Sequence, residues 1–264
     1  MTQNNNLSVL PFWTSIEEQS HRKPYAYGEV YPLYVPVGYL PTFQICLTTT
    51  GNVSAIVLYK KDDSQSTLLS TGAVSAKTVG NYKVFYHTGA SSGLYTGEGQ
   101  YYLMITIGGT NYYSDVFTAV ADITPYLKVE WWDTEDFIMD GAAIAYDLGS
   151  STYFHNIVYL NTQLGKPEYE FEEEGEKRDG LFFPEKMISE KTYKFNFLAN
   201  EPLCDVMRLA RMADHVKITD RYSTVYDCDT FLITPKWEVQ GNVASVDAEF
   251  QTNMVAKRIG RNYV

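Results

Sequence analysis

The stretch Ser189–Asp220 changes its hydrophobic period twice, and few folds accommodate that. Tyr193, Phe195 and Phe197 alternate with Thr192, Lys194 and Asn196, the period-two pattern of a strand with one buried face. Asn200 then supplies a side chain suited to an N-cap. Glu201 and Pro202 follow in the first turn, where negative charge is favoured and a missing N–H costs nothing. Leu203, Val206, Met207 and Ala210 stand at i, i+3, i+4 and i+7, one apolar stripe on a short helix. Asp205, Arg208 and Arg211 fall on its other side. Val216 and Ile218 next alternate with Lys217 and Thr219 in a second strand. A lone short helix has to bury its stripe on sheet, so the C-terminal half is expected to fold around this unit. The unit carries no catalytic signature.

The rest of the chain reads as β. It contains 22 Tyr, 13 Phe and 4 Trp in 264 residues, and aromatic residues favour strands. The length suits two domains, and 45% apolar residues supply a core. Residues 41–120 are expected to form an immunoglobulin-like β-sandwich. Strands Phe43–Leu47 and Val53–Tyr59 flank Thr50-Gly51-Asn52, Tyr82–Tyr86 is a third, and Tyr101–Ile107 and Tyr112–Thr118 flank the hairpin signal Gly108-Gly109. No Cys–Trp–Cys framework is present. Ala121–Pro125 reads as a linker.

Residues 126–264 are expected to form an antiparallel β-barrel or sandwich with one flanking helix near 201–213. Its candidate strands include Tyr126–Asp133, Tyr153–Leu160, Glu168–Glu174, Thr230–Thr234, Lys236–Val239 and Val243–Gln251. In the last of these, Ala244, Val246, Ala248 and Phe250 point inward. Residues 1–40 form an extended arm rich in aromatic residues and proline, since prolines this frequent deny a central strand.

The charge is −11, from 21 Lys and Arg against 32 Asp and Glu. That disfavours broad electrostatic binding to nucleic acid or anionic lipid. The distribution is uneven: six Glu lie between Glu168 and Glu176, whereas Lys257, Arg258 and Arg261 mark the C-terminal end. Three widely spaced cysteines without CxxC read as reduced thiols, two of them buried, in a protein made in the cytoplasm. The polar start Met1–Asn6 lacks the apolar stretch of a signal peptide, and no run reaches transmembrane length.

Glu168, Glu170 and Glu172 would share one face of a strand, with Tyr169 and Phe171 opposite. Carboxylates so placed suit a Ca²⁺ ion or an acid–base pair. However, a calcium loop wants Asp and Gly at fixed offsets, and glycosidase carboxylates come from separate elements. A charged, exposed edge that resists edge-to-edge aggregation fits the stretch better. His21, His87, His155 and His215 form none of the metal-binding spacings, and GxSxG is absent. Gly89–Gly93 and Gly97–Gly99 do not sit between a strand and a helix, as a phosphate loop would. Trp131-Trp132 suits either a sugar-stacking shelf or packing, and packing is the commoner fate. No catalytic set, cofactor or metal site is expected.

Several stretches carry a resemblance. Leu10-Pro11-Phe12-Trp13, His21-Arg22-Lys23, Tyr25-Ala26-Tyr27-Gly28, Gly38–Gln44, Leu164–Tyr169, Phe182–Lys186 and Tyr226–Phe231 are similar to uncharacterised proteins of Bacteroides-type phages and prophages, over nearly the whole chain. The C-terminal strand–helix–strand unit resembles the fold of tail-tube, distal-tail and baseplate-hub proteins. The resemblance implies a structural protein of the phage tail, made in the host cytoplasm and located in the virion. It implies a hexameric or twelvefold homo-oligomeric ring that contacts other tail proteins and lets DNA pass without specific binding or membrane contact.

The candidate interface residues are Trp13, Tyr25, Tyr27, Tyr31, Tyr34 and Tyr39 of the arm, Arg208 and Arg211 of the helix, and Lys257, Arg258 and Arg261 of the tail. Glu168, Glu170 and Glu172 would line an acidic lumen or an exposed edge. Two other classes compete. A tail-tip receptor- or carbohydrate-binding protein would show an exposed aromatic shelf. A capsule- or wall-degrading enzyme would show two close carboxylates in a cleft.

Overall fold

The computed structural model describes residues 7–15, 32–48, 51–61, 66–90, 92–139, 141–178, 181–237, 243–252 and 256–259. This part of the chain is mainly β, with one α-helix among the described residues. Its largest sheet has 15 strands. Hydrogen-bonded neighbours run Phe12–Trp13, Thr110–Ser114, Gly99–Ile107, Phe117–Val120, Tyr34–Pro36, Asn156–Leu160, Leu127–Trp132, His215–Thr219, Val225–Trp237, Val243–Thr252, Leu181–Asn200 and Glu168–Arg178. Val53–Lys60 branches from Gly99–Ile107 and carries Ser66–Leu69, while Ala256–Ile259 branches from Leu181–Asn200.

This order has two ends, so the described strands do not close into a barrel, and the closure expected of residues 126–264 is corrected to an open sheet. The physical reason lies in the last strand: Glu168–Lys177 is exposed on both faces, as the edge of an open sheet is and a barrel strand, with one face inside, is not. The sheet is also mixed, since Tyr34–Pro36 runs parallel to Phe117–Val120. On its other side the same strand meets Asn156–Leu160, at Tyr34 opposite Tyr159. The described end of the lead-in thus joins the sheet across the segment 121–125.

In the N-terminal half, Phe43–Leu47, Tyr82–His87 and Ser75–Val79 form a separate three-stranded sheet. The strands on either side of Gly51 therefore enter different layers. Phe43, Ile45 and Phe85 of the small sheet pack with Ile56, Leu58, Leu103 and Ile105 of the large one. The small sheet's other face, with Cys46 and Val84, is covered by Ala143 and Ala145. Gln44 fixes this cover: its Nε2 donates to the Ala145 carbonyl at 2.8 Å and its Oε1 accepts from the Ala145 N–H at 2.9 Å. Gly108 and Gly109 have φ of 57° and 85°, the two positive values a tight two-residue hairpin requires.

The strand–helix–strand unit forms where the sequence places it. Asn200 Oδ1 accepts from the Leu203 N–H at 3.1 Å, capping a helix at Glu201–Met207 that tightens into a 3-10 turn at Arg208–Met212. Leu203, Val206, Met207, Leu209 and Ala210 are buried. They share one core with Tyr193, Phe195, Phe197, Val216, Ile218, Ala244, Val246, Ala248 and Phe250. Where the sequence suggested two strands at Thr230–Thr234 and Lys236–Val239, there is one, Val225–Trp237, whose register shifts between Cys228 and Thr230.

Candidate functional site: the outward face of the large sheet

Ladder partners share a face of a sheet, so the register defines what the C-terminal sheet presents away from its core. Lys128, Glu130 and Trp132 lie on that face. Tyr159 and Ile157 flank them on one side, and Thr219, Lys217 and His215 on the other. The next rows are Asp227, then Thr230, Leu232, Thr234 and Lys236, then Gln251, Glu249, Asp247 and Ser245, then Lys194, Asn196 and Leu198. Glu168 and Glu170 continue the face onto the last strand, opposite Thr192 and Glu190. Apart from a few single apolar side chains, the surface is a lattice of alternating charge. Lys194 meets Glu168 at 2.5 Å, Lys236 meets Asp247 at 2.5 Å, and Lys217 meets Asp227 at 3.7 Å. Gln251 Nε2 donates to Glu190 at 3.2 Å.

One part of this face is more enclosed. Trp132 is sandwiched between His155, with ring centroids 4.3 Å apart, and His215, at 4.9 Å. The Lys217 ammonium stands 5.2 Å from the same indole, an attractive contact with the ring face. Glu130 accepts from His155 Nδ1 and from Lys128 Nζ, each at 2.5 Å. Burial pushes the Glu130 carboxyl upward, but the hydrogen bonds and positive charge of His155 and Lys128 win and hold it at about 2. A second feature is an open cleft of about 590 Å³, where Gln163 and Gly165 overhang Lys194, Asn196, Thr234, Asp247 and Glu249.

The reactive groups elsewhere are quiet. Burial raises all three thiols, Cys204 to about 11, Cys228 to about 12, and Cys46 upward despite its bond from the Ala143 N–H. Only Cys204 is fully buried, where two such thiols were expected; Cys46 and Cys228 are half-buried. The buried His87 ends its strand with Nδ1 2.7 Å from the Ala73 carbonyl, and burial lowers its pKa. Asp214 is raised by a hydrogen bond shared with Asp133. That carboxyl pair is at the surface, beside a shallow hollow that Asp133 helps to line. Among the described residues no group of three His, Cys, Asp or Glu is placed to hold a metal ion, and no helix is long and apolar enough to cross a membrane.

Among the described residues, the interface candidates lie on separate elements. Trp13 is buried in the chain's own fold, opposite Tyr113. Tyr34 is half-buried against Tyr126, with rings 4.8 Å apart, and Tyr39 is 36% exposed. Arg208 and Arg211 are exposed on the helix's free side. Lys257 and Arg258 lie in the strand Ala256–Ile259. Tyr25, Tyr27, Tyr31 and Arg261 lie outside the described residues. Glu168, Glu170 and Glu172 share a face of the edge strand, with exposed Tyr169 and Phe171 on the other.

In the sequence Trp131-Trp132 stand as an adjacent pair. The fold separates them, Trp131 fully buried and Trp132 outward between two histidines. The alternation Leu127, Val129, Trp131 already carried that signal. No protein-family model matches the chain, and no curated protein matches it in sequence.

Proposed function

We propose that this chain is a structural subunit of a phage tail, assembling as a homo-oligomeric ring, hexameric or twelvefold, around the path of the DNA. The observation that carries the reading is the outward sheet face, polar and charge-paired from Tyr159 across to Glu168 while the opposite face holds the core. A wide polar sheet face suits a wetted channel wall, and net negative charge repels DNA and lets it slide. In this reading residues 41–120 are an immunoglobulin-like attachment module. The open sheet of residues 126–264 gains its barrel character from neighbouring subunits.

Light scattering and negative-stain microscopy of the purified chain test the proposal. Rings or tubes are expected, and a monomer at every concentration overturns it. Deleting residues 257–264 is expected to leave a folded chain that does not assemble. The polar cleft of about 590 Å³ favours a second reading, a tail-tip protein that binds surface glycan. Glycan-dependent binding without rings would identify it.

A further inference from the structure

Residues 168–178 and the first part of Leu181–Asn200 extend past the point where Val243–Thr252 ends its pairing at Thr192. Beyond that point Ala256–Ile259 takes over on the same side, opposite Lys186–Ser189. Val225–Trp237 does not follow. Its register shifts between Cys228 and Thr230, and it turns to pair with His215–Thr219. The result is a three-stranded ribbon with Leu181–Asn200 in the middle. Among the described strands, each outer strand has a single partner.

The two edges differ in charge. One is Glu168–Arg178, with six Glu; the other is Ala-Lys-Arg-Ile at 256–259. Both outer strands are antiparallel to the middle one, so they run in the same direction. The register also sets their levels. Ile188 is opposite Glu172 on one side and Lys257 on the other, and Met187 is opposite Glu173 and Arg258. Glu172 and Lys257 therefore stand at one level of the ribbon, and Glu173 and Arg258 at the next.

We propose that the acidic edge of one copy adds, as a parallel strand, to the basic edge of the next copy, with Glu172 beside Lys257 and Glu173 beside Arg258. This deepens the ring reading and rests on it, because it supplies the contact between subunits. Several features support a second copy of this chain as the occupant. The contact is head-to-tail: each copy offers one edge of each kind, so the same contact repeats until it closes. The small rotation between neighbours in a ring does not reverse a strand, which makes the new pair parallel. Two acidic edges repel, which disfavours the twofold alternative. Tyr169 and Phe171, 60% and 67% exposed, lie on the ribbon face continuous with the core face, beside the edge that a neighbouring strand would join. An exposed strand edge of this length is otherwise a liability in a native protein.

Charge reversal of the full chain tests this. E172K/E173K and K257E/R258E are each expected to melt like the parent and to lose the ring species in light scattering and microscopy. The fourfold variant is expected to regain it. A second test is independent of charge. Within one copy, residues 172 and 257 are two strand spacings apart, about 10 Å, whereas a disulfide needs Cα atoms about 4.4–6.8 Å apart. E172C/K257C is therefore expected to give oxidised dimers and higher ladders on non-reducing gels, and either single cysteine is not. Parent rings that persist in both reversed variants, or a double-cysteine chain without a ladder, overturn the edge contact while leaving the ring. A parent chain that never assembles overturns both.

Discussion

At the scale of single residues, Asn200 and Glu130 act through hydrogen bonds that can be measured. Asn200 caps the helix through Leu203 and also donates from Nδ2 to Asp115 at 3.1 Å. N200A is expected to lower stability by about 1 kcal/mol in urea unfolding, the usual effect of a lost cap. Glu130 is held at about 2, below its ordinary 4.5. Its contribution is therefore complete above about pH 4.5 and is lost as pH falls toward 2. E130Q is expected to be about 1–3 kcal/mol less stable than the parent at neutral pH, the range for hydrogen bonds to a charged group. The gap should close between pH 4.5 and pH 2, and a gap that stays constant with pH would reject this account. Such pairings were not legible in the sequence. Nothing in the residue types at 128, 130, 155 and 217 says that two strands and the residue just before a third bring them together.

Among the elements, those with one wet and one dry face were legible. Ser189–Asp220, Leu127–Trp132 and Val243–Thr252 alternate because burial on one side selects their residues. The long hairpin was only half visible. Glu168–Lys177 is wet on both sides, so no period marks its length, and the acidic run alone pointed to it. Pro235 split the reading of a single strand in two, and the register shift between Cys228 and Thr230 hid that strand's start at Val225. Within the helix, Met207 is fully buried, and M207A is expected to cost about 2–5 kcal/mol through the cavity it leaves. Gly109 has φ of 85° with open space around it. G109A should therefore cost only the backbone penalty, about 1–2 kcal/mol, with the hairpin register unchanged in amide exchange.

For the molecule as a whole, composition and alternation pointed to a β protein, but the joining of the strands lay beyond them. Which edges stay open depends on partners distant in sequence, and Tyr34–Pro36 illustrates it: a proline-rich lead-in reads as an arm, yet its backbone fills a gap between two strands. If opposite edge charges join subunits, assembly should weaken as ionic strength rises, because exposed ion pairs are screened. Sedimentation across a salt series checks this, and salt-independent assembly would point to apolar contacts instead.

The position of Tyr34–Pro36 also sets an order of events in time. Its backbone waits for Phe117–Val120 on one side and for Asn156–Leu160 on the other, so a nascent chain cannot complete this sheet until Leu160 has left the ribosome. Contacts so distant in sequence slow folding. Refolding is expected to be slow, with intrinsic fluorescence and far-ultraviolet dichroism following a common final phase. A fast phase completing the N-terminal sheet before Asn156–Leu160 is protected from amide exchange would break that order.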